Sequence, residues 1–171
     1  MDEPSLFDLA AIVIDAALPL PELLLSVERQ IAGAPVEVGF AFGADSTLLL
    51  RKIGKQSVVK FTPTELLKMR NSHFTHNHPK HGFLSAADIL FAHQHNLAEM
   101  RAVAGGVVYV LSRPSAGWNE TEATRLFMAS NNRLASRFSH DGNLRKLLAG
   151  QQRLAATLVK GLSLSVETPS L

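Results

Sequence analysis

Between Val36 and Pro114 the chain is cut into short apolar runs, VEVGFAF, TLLLRKIG, SVVKF, SHFTHNHP and MRAVAGGVVYVLSRP, by turn-forming Gly, Pro, Asp and Ser. Strand-sized runs rich in β-branched and aromatic residues, bounded by turn formers, commit a chain to a sheet rather than a helical bundle. VEVGFAF, TLLLRKIG and SVVKF read as an antiparallel meander turning at GADS, and SHFTHNHP reads as a strand ending at Pro79. Two helices interrupt the series. TPTELLKMR has Thr62 or Thr64 as its N-cap, and SAADILFAHQHN has Ser85. MRAVAGGVVYVLSRP then gives one or two strands broken at Gly105 and Gly106.

Helical periodicity flanks this core, taken as 36–114. Leu6, Leu9, Ala10, Val13, Ile14 and Ala17 recur at helical spacing, and PELLLSVERQIAG follows with Pro21 in its first turn and Gly33 past its end, so N-terminal helices are expected over 5–33. Two amphipathic helices are expected over 119–163, divided near His140, Asp141 and Gly142, and 164–171 is read as a tail. The expectation is therefore an α/β (α+β) fold in a single domain, 1–163. With 171 residues, 46% of them hydrophobic and 19% charged, the chain can bury a core without a stapling bond. Asp8, Asp15, Pro19 and Pro21 interrupt the apolar N-terminal stretch, whose start is acidic, so neither a membrane span nor a signal peptide is expected. The localisation this implies is soluble, in the cytoplasm or delivered elsewhere as an effector. A net charge of +2 with dispersed basic residues gives no support to a nucleic-acid ligand.

Six of the seven histidines fall between His73 and His95. His76 and His78 are one residue apart on a predicted strand, so their side chains point the same way and can share one metal ion. With Ser85 capping the next helix, Asp88 lies in its first turn and can supply a third ligand. There is no cysteine, so any metal must be held by His, Asp or Glu. Three protein ligands leave a fourth tetrahedral position open, the arrangement of a catalytic zinc, which acidifies water to a pKa of about 7. Amide hydrolysis also needs a proton acceptor. Glu37 is the candidate, since a carboxylate among Val36, Val38 and Phe40 is costly without a task or partner. Ser85 can donate to the developing oxyanion.

Glu37, followed after a long gap by His76-x-His78-Pro79 and then Ser85-x-x-Asp88, resembles the signature of the JAMM (JAB or MPN-type) metalloprotease family. Its HNHP form is similar to the bacterial branch. Six residues separate His78 from Ser85 where the family pattern has seven. The likeness extends loosely from Glu37 to about Pro114. It implies a curved mixed β-sheet flanked by helices, zinc on His76, His78 and Asp88, Glu37 as acid/base and Ser85 on the oxyanion. It also implies hydrolysis of a peptide or isopeptide bond in a protein substrate. Ubiquitin or ubiquitin-like conjugates, or the targets of a bacterial or phage effector or toxin, are the substrates so implied.

Other readings stay open at this level. Ser85-x-x-Asp88 is also a capping box, and Glu65 and Glu99 compete with Glu37 as the carboxylate. His93 and His95 read as solvated helix-end histidines, and Trp118 and Phe127 as core anchors. A catalytically silent scaffold or binding module of the same family and an HNH-type metal-dependent nuclease are the alternative functions. The terminal helices can complete the core, pair two copies in a homodimer or bind a delivery partner.

Overall fold

The computed structural model describes residues 7–54, 59–80, 82–138, 144–169 and 171. After a 3-10 turn at Leu9–Ala11, the elements in chain order are α1 (Leu20–Ile31), β1 (Val38–Phe42), β2 (Leu48–Ile53), α2 (Pro63–Met69) and β3 (His73–Asn77). They continue with α3 (Ala86–Gln94), β4 (Glu99–Ala104), β5 (Val107–Ser112), α4 (Glu120–Phe138), α5 (Leu144–Gly161) and β6 (Val166–Glu167). The strands form one six-stranded sheet in the order β2-β1-β3-β4-β5-β6. Among the described residues only β3 and β4 run parallel, and they are joined by α3, because a parallel pair cannot be closed by a tight turn. The fold is of the mixed α+β class, with helices on both faces of a mixed sheet.

Alternation along the strands divides the apolar residues into two layers. On one face Ala41, Phe74, Met100, Ala102 and Leu111 pack against Met69 of α2, Ile89 and Ala92 of α3, and Leu154, Ala155 and Leu158 of α5. On the other, Val38, Phe40, Phe42, Val103 and Val110 pack against Leu23, Leu24, Val27 and Ile31 of α1. Trp118 and Phe127 are partly buried against the first layer, as core anchors should be. The start of α2 follows its sequence, with Thr62 and Glu65 forming a reciprocal capping box. The β4–β5 turn is made by Gly105 and Gly106, both at positive φ (58° and 80°), which suits a two-residue hairpin.

Glu28 sits on the buried side of α1, between Leu24 and Ile31, and is fully buried. Its carboxylate accepts from Arg101 Nε (2.5 Å), Arg101 Nη2 (3.1 Å) and Thr75 Oγ1 (2.9 Å), tying α1 to β3 and β4. Arg101 Nη1 also reaches Glu99 Oε2 (3.3 Å), which is 3.2 Å from His73 Nδ1. Burial would lift the Glu99 carboxyl, but the His73 hydrogen bond and the Arg101 charge outweigh it and hold the carboxyl below its ordinary range. A carboxyl with a depressed folded-state pKa contributes stability that is present above its unfolded pKa of about 4.3 and lost as pH falls through the folded value. Urea unfolding followed downward from about pH 4.5 should therefore show a shallower loss of stability in Glu99→Gln than in the wild type; parallel curves would exclude this contribution.

Three expectations change. The helix predicted around Leu6–Ala17 is absent among the described residues: Asp8 caps only the 3-10 turn, and both main-chain groups of Val13 are taken by the Gln30 amide (2.8 and 2.9 Å). A side chain from α1 thus satisfies main-chain groups that a helix would have used internally, while Ile12 and Ile14 still pack against the α1 layer. Of the run SVVKF, Ser57 and Val58 lie outside the described residues, and Val59–Phe61 form no strand. Phe61 instead packs on Phe74 and Phe91, with ring centroids 5.7 and 5.4 Å away. The stretch 164–171 is not a free tail, because Val166 and Glu167 pair with Leu111 and Val110 at the sheet edge. The predicted break at 140–142 lies outside the described residues.

Candidate metal centre

β3 delivers His76 to the face covered by α3, and His78 follows just beyond the strand, its amide still bonded to the Val103 carbonyl of β4 (2.7 Å). Both imidazoles are buried, with 1% and 7% exposure. Their Nε2 atoms approach to 2.8 Å. Nδ1 of His78 lies 2.8 Å from the Phe83 carbonyl, which can only accept, so Nδ1 carries a proton there and Nε2 is turned toward His76. Ser85 caps α3, and Asp88, three residues on, returns Oδ2 to the Ser85 amide and hydroxyl (both 2.7 Å). The capping box that sets the helix start thereby aims Asp88 back at the strand: Oδ1 lies 3.3 Å from His76 Nε2, and Oδ2 3.3 Å from His78 Nε2.

Glu37 comes from the residue before β1. Its Oε1 is 3.8 Å from His76 Nε2 and 3.9 Å from His78 Nε2, and its other oxygen, Oε2, is buried without a hydrogen bond. Burial raises the Glu37 carboxyl, the two imidazoles oppose this, and Asp88 adds to it; the net direction is upward. For Asp88 burial acts upward too, but His76 and His78 prevail and hold it well below the ordinary carboxylate range. Burial lowers His76, yet Asp88 and Glu37 outweigh it and the imidazole is raised. The two carboxyls of one buried site are thus displaced in opposite directions, Glu37 upward and Asp88 downward.

Two imidazole nitrogens and two carboxylates converging on one point ask for shared protons or a cation. Glu37, His76 and His78 form a buried group that could hold a metal ion. The two imidazole nitrogens stand 2.8 Å apart, in hydrogen-bond contact and closer than the roughly 3.3 Å edge of a tetrahedron with metal–ligand bonds of about 2.0–2.1 Å, and each lies 3.3 Å from a different oxygen of Asp88. Glu37 stands slightly farther out, able to complete the ligand set or to hold a water beside it.

The remaining candidates are engaged elsewhere. Ser85 donates its hydroxyl proton to Asp88 and accepts from the Asp88 amide (3.1 Å), so in this structure it serves the cap. Glu65 pairs with Lys52 (2.6 Å), and Glu99 belongs to the Arg101 network on the other face. His93 is not solvated as expected: it is 4% exposed against the Trp118 ring, which is anchored by Nε1–H to the Leu97 carbonyl (2.7 Å). His95 is half-buried on Phe91. His81 lies outside the described residues.

Sequence reading missed Gly39. It pairs with His76, and a Cβ built there would come within 2.6 Å of the Phe74 ring, which stacks on His76 with centroids 5.4 Å apart. Gly39→Ala is expected to cost about 1–3 kcal/mol and to weaken metal binding by displacing that ring. Thermal unfolding and a chelator-competition titration check both; unchanged metal affinity would remove Gly39 from the support of His76.

No helix among the described residues is long and apolar enough to cross a membrane. No protein-family model matches the chain, and neither a curated protein nor a solved structure matches it at a significant level.

Proposed function

We propose that the protein is a zinc-dependent peptidase or isopeptidase of the JAMM type. The observation that carries this reading is the convergence of two buried imidazoles and the Asp88 carboxylate, beside a second buried carboxylate, Glu37. The resemblance of Glu37, His76-x-His78-Pro79 and Ser85-x-x-Asp88 to that family's signature supports the same assignment. Zinc, when bound, supplies a Lewis acid that acidifies water and polarises a carbonyl. His76, His78 and Asp88 would hold it. Glu37 takes the proton of the attacking water at its carboxylate and gives it to the leaving amine, a role for which a raised pKa is suited. The Phe83 carbonyl keeps His78 in the tautomer whose Nε2 lone pair is turned to the site. Ser85 turns its hydroxyl from Asp88 toward the developing oxyanion.

A ββα-type nuclease would place a histidine of the helix after the HNH triplet on the metal, whereas His93 and His95 at the end of α3 pack on Trp118 and Phe91. The deciding experiment is incubation of zinc-loaded protein with a panel of ubiquitin chains, ubiquitin-like conjugates and model peptides, with and without chelator. Chelator-sensitive cleavage is expected. Stoichiometric zinc without cleavage of any member would favour a silent scaffold instead.

A further inference from the structure

We infer that Asn77 is a positioning residue that holds Glu37 in place above the imidazoles of His76 and His78. Its kinetic consequence rests on the peptidase reading; its structural content does not. Asn77 lies between the two histidines, so alternation turns its side chain to the opposite face of the sheet, where it is fully buried. The polar atoms of its amide group are spent on the segment leading into β1. Oδ1 accepts from the Val38 amide (2.7 Å), and Nδ2 donates to the carbonyls of Ala34 and Val36 (both 3.1 Å).

These bonds bracket Glu37. The regular main-chain pairing of β1 with β3 begins at Gly39 and His76 and does not extend to Val38 and Asn77. The Asn77 side chain replaces the ladder at the place where it stops. On the other edge, the Glu37 carbonyl accepts from the Gly54 amide (2.7 Å). Glu37 is therefore gripped from both sides in the plane of the sheet, and its side chain projects out of that plane to the histidine face. A buried carboxylate whose Oε2 has no hydrogen bond has little in its own side chain to fix it, so its position depends on the backbone that Asn77 holds. No aliphatic residue can make the three bonds, and Asn77→Asp would lose both donors.

The test combines exchange and kinetics. In metal-free wild type the Val38 amide should be protected from hydrogen exchange, and in Asn77→Ser it should exchange at least about tenfold faster. In the zinc-loaded enzyme, Asn77→Ser should lower kcat by about 10–100-fold with KM and zinc content unchanged. Placed in a Glu37→Gln background, the same substitution should cost less than about twofold, since the group it positions is already disabled. Equal losses in both backgrounds, loss of zinc, or an unprotected Val38 amide in the wild type would each overturn the inference. Should Asn77→Ser not fold, the wild-type exchange measurement decides: a protected Val38 amide supports the inference and an unprotected one overturns it. Absence of cleavage by the wild type would count against the peptidase reading, and the exchange data would then decide the positioning role alone.

Discussion

Glu37→Gln is expected to lower kcat for peptide or isopeptide cleavage by about 10²–10⁴-fold while the protein keeps its zinc. The substitution preserves shape and removes only the ability to take and return a proton. His76, His78 and Asp88, which converge beside it, are untouched. The replaced carboxyl is buried and already displaced upward in pKa, so an amide of the same volume costs little in folding. Steady-state kinetics beside metal analysis on the same preparation checks both halves. Undiminished turnover would exclude Glu37 as the proton carrier, and loss of zinc would make it a ligand instead.

The largest effect on stability is expected on the opposite face. Glu28→Ala leaves the Arg101 guanidinium buried without the carboxylate that meets it at 2.5 and 3.1 Å, and an uncompensated buried charge costs about 3–5 kcal/mol. For a chain of this size that is a fall in Tm of about 6–20 °C. Replacing both partners with apolar residues of similar volume should recover most of the loss, because no charge is then stranded. A Glu28→Ala variant that unfolds within about 1 kcal/mol of wild type would mean that water or Glu99 takes over the Arg101 charge. Only the single removal should be severe.

The elements that carry strong local signals were legible in the sequence. The strands around Phe40, Leu50, Thr75 and Val110 alternate or run apolar between turn formers, and α2 and α3 announce themselves through Thr62 and Ser85. What failed was decided by distant partners. The spacing of Leu9, Val13 and Ile14 fits a helix, but a Gln30 side chain from α1 bonds the Val13 backbone. Val166 and Glu167 have too little local pattern to reveal a strand that exists only because the β5 edge is there to receive it. In the site, the motif spacing picked out Glu37, His76, His78 and Asp88, which converge in space, because their residue types are costly in apolar surroundings. Gly39 and Asn77 escaped notice because one acts through a missing side chain and the other through the backbone of another segment. Glu28 did have a signal, since helical periodicity places it on the same side as Leu24 and Ile31.

The hydrogen bond between His78 and the Phe83 carbonyl divides the connection into α3 into two parts with unlike tolerance for length. Chain added or removed before Phe83 alters only the size of a closed lariat. A residue added within the helix between Ser85 and Asp88 would rotate Asp88 by about 100° about the helix axis and swing it away from the imidazoles. The length of the loop and the angular setting of Asp88 are thereby uncoupled at this point.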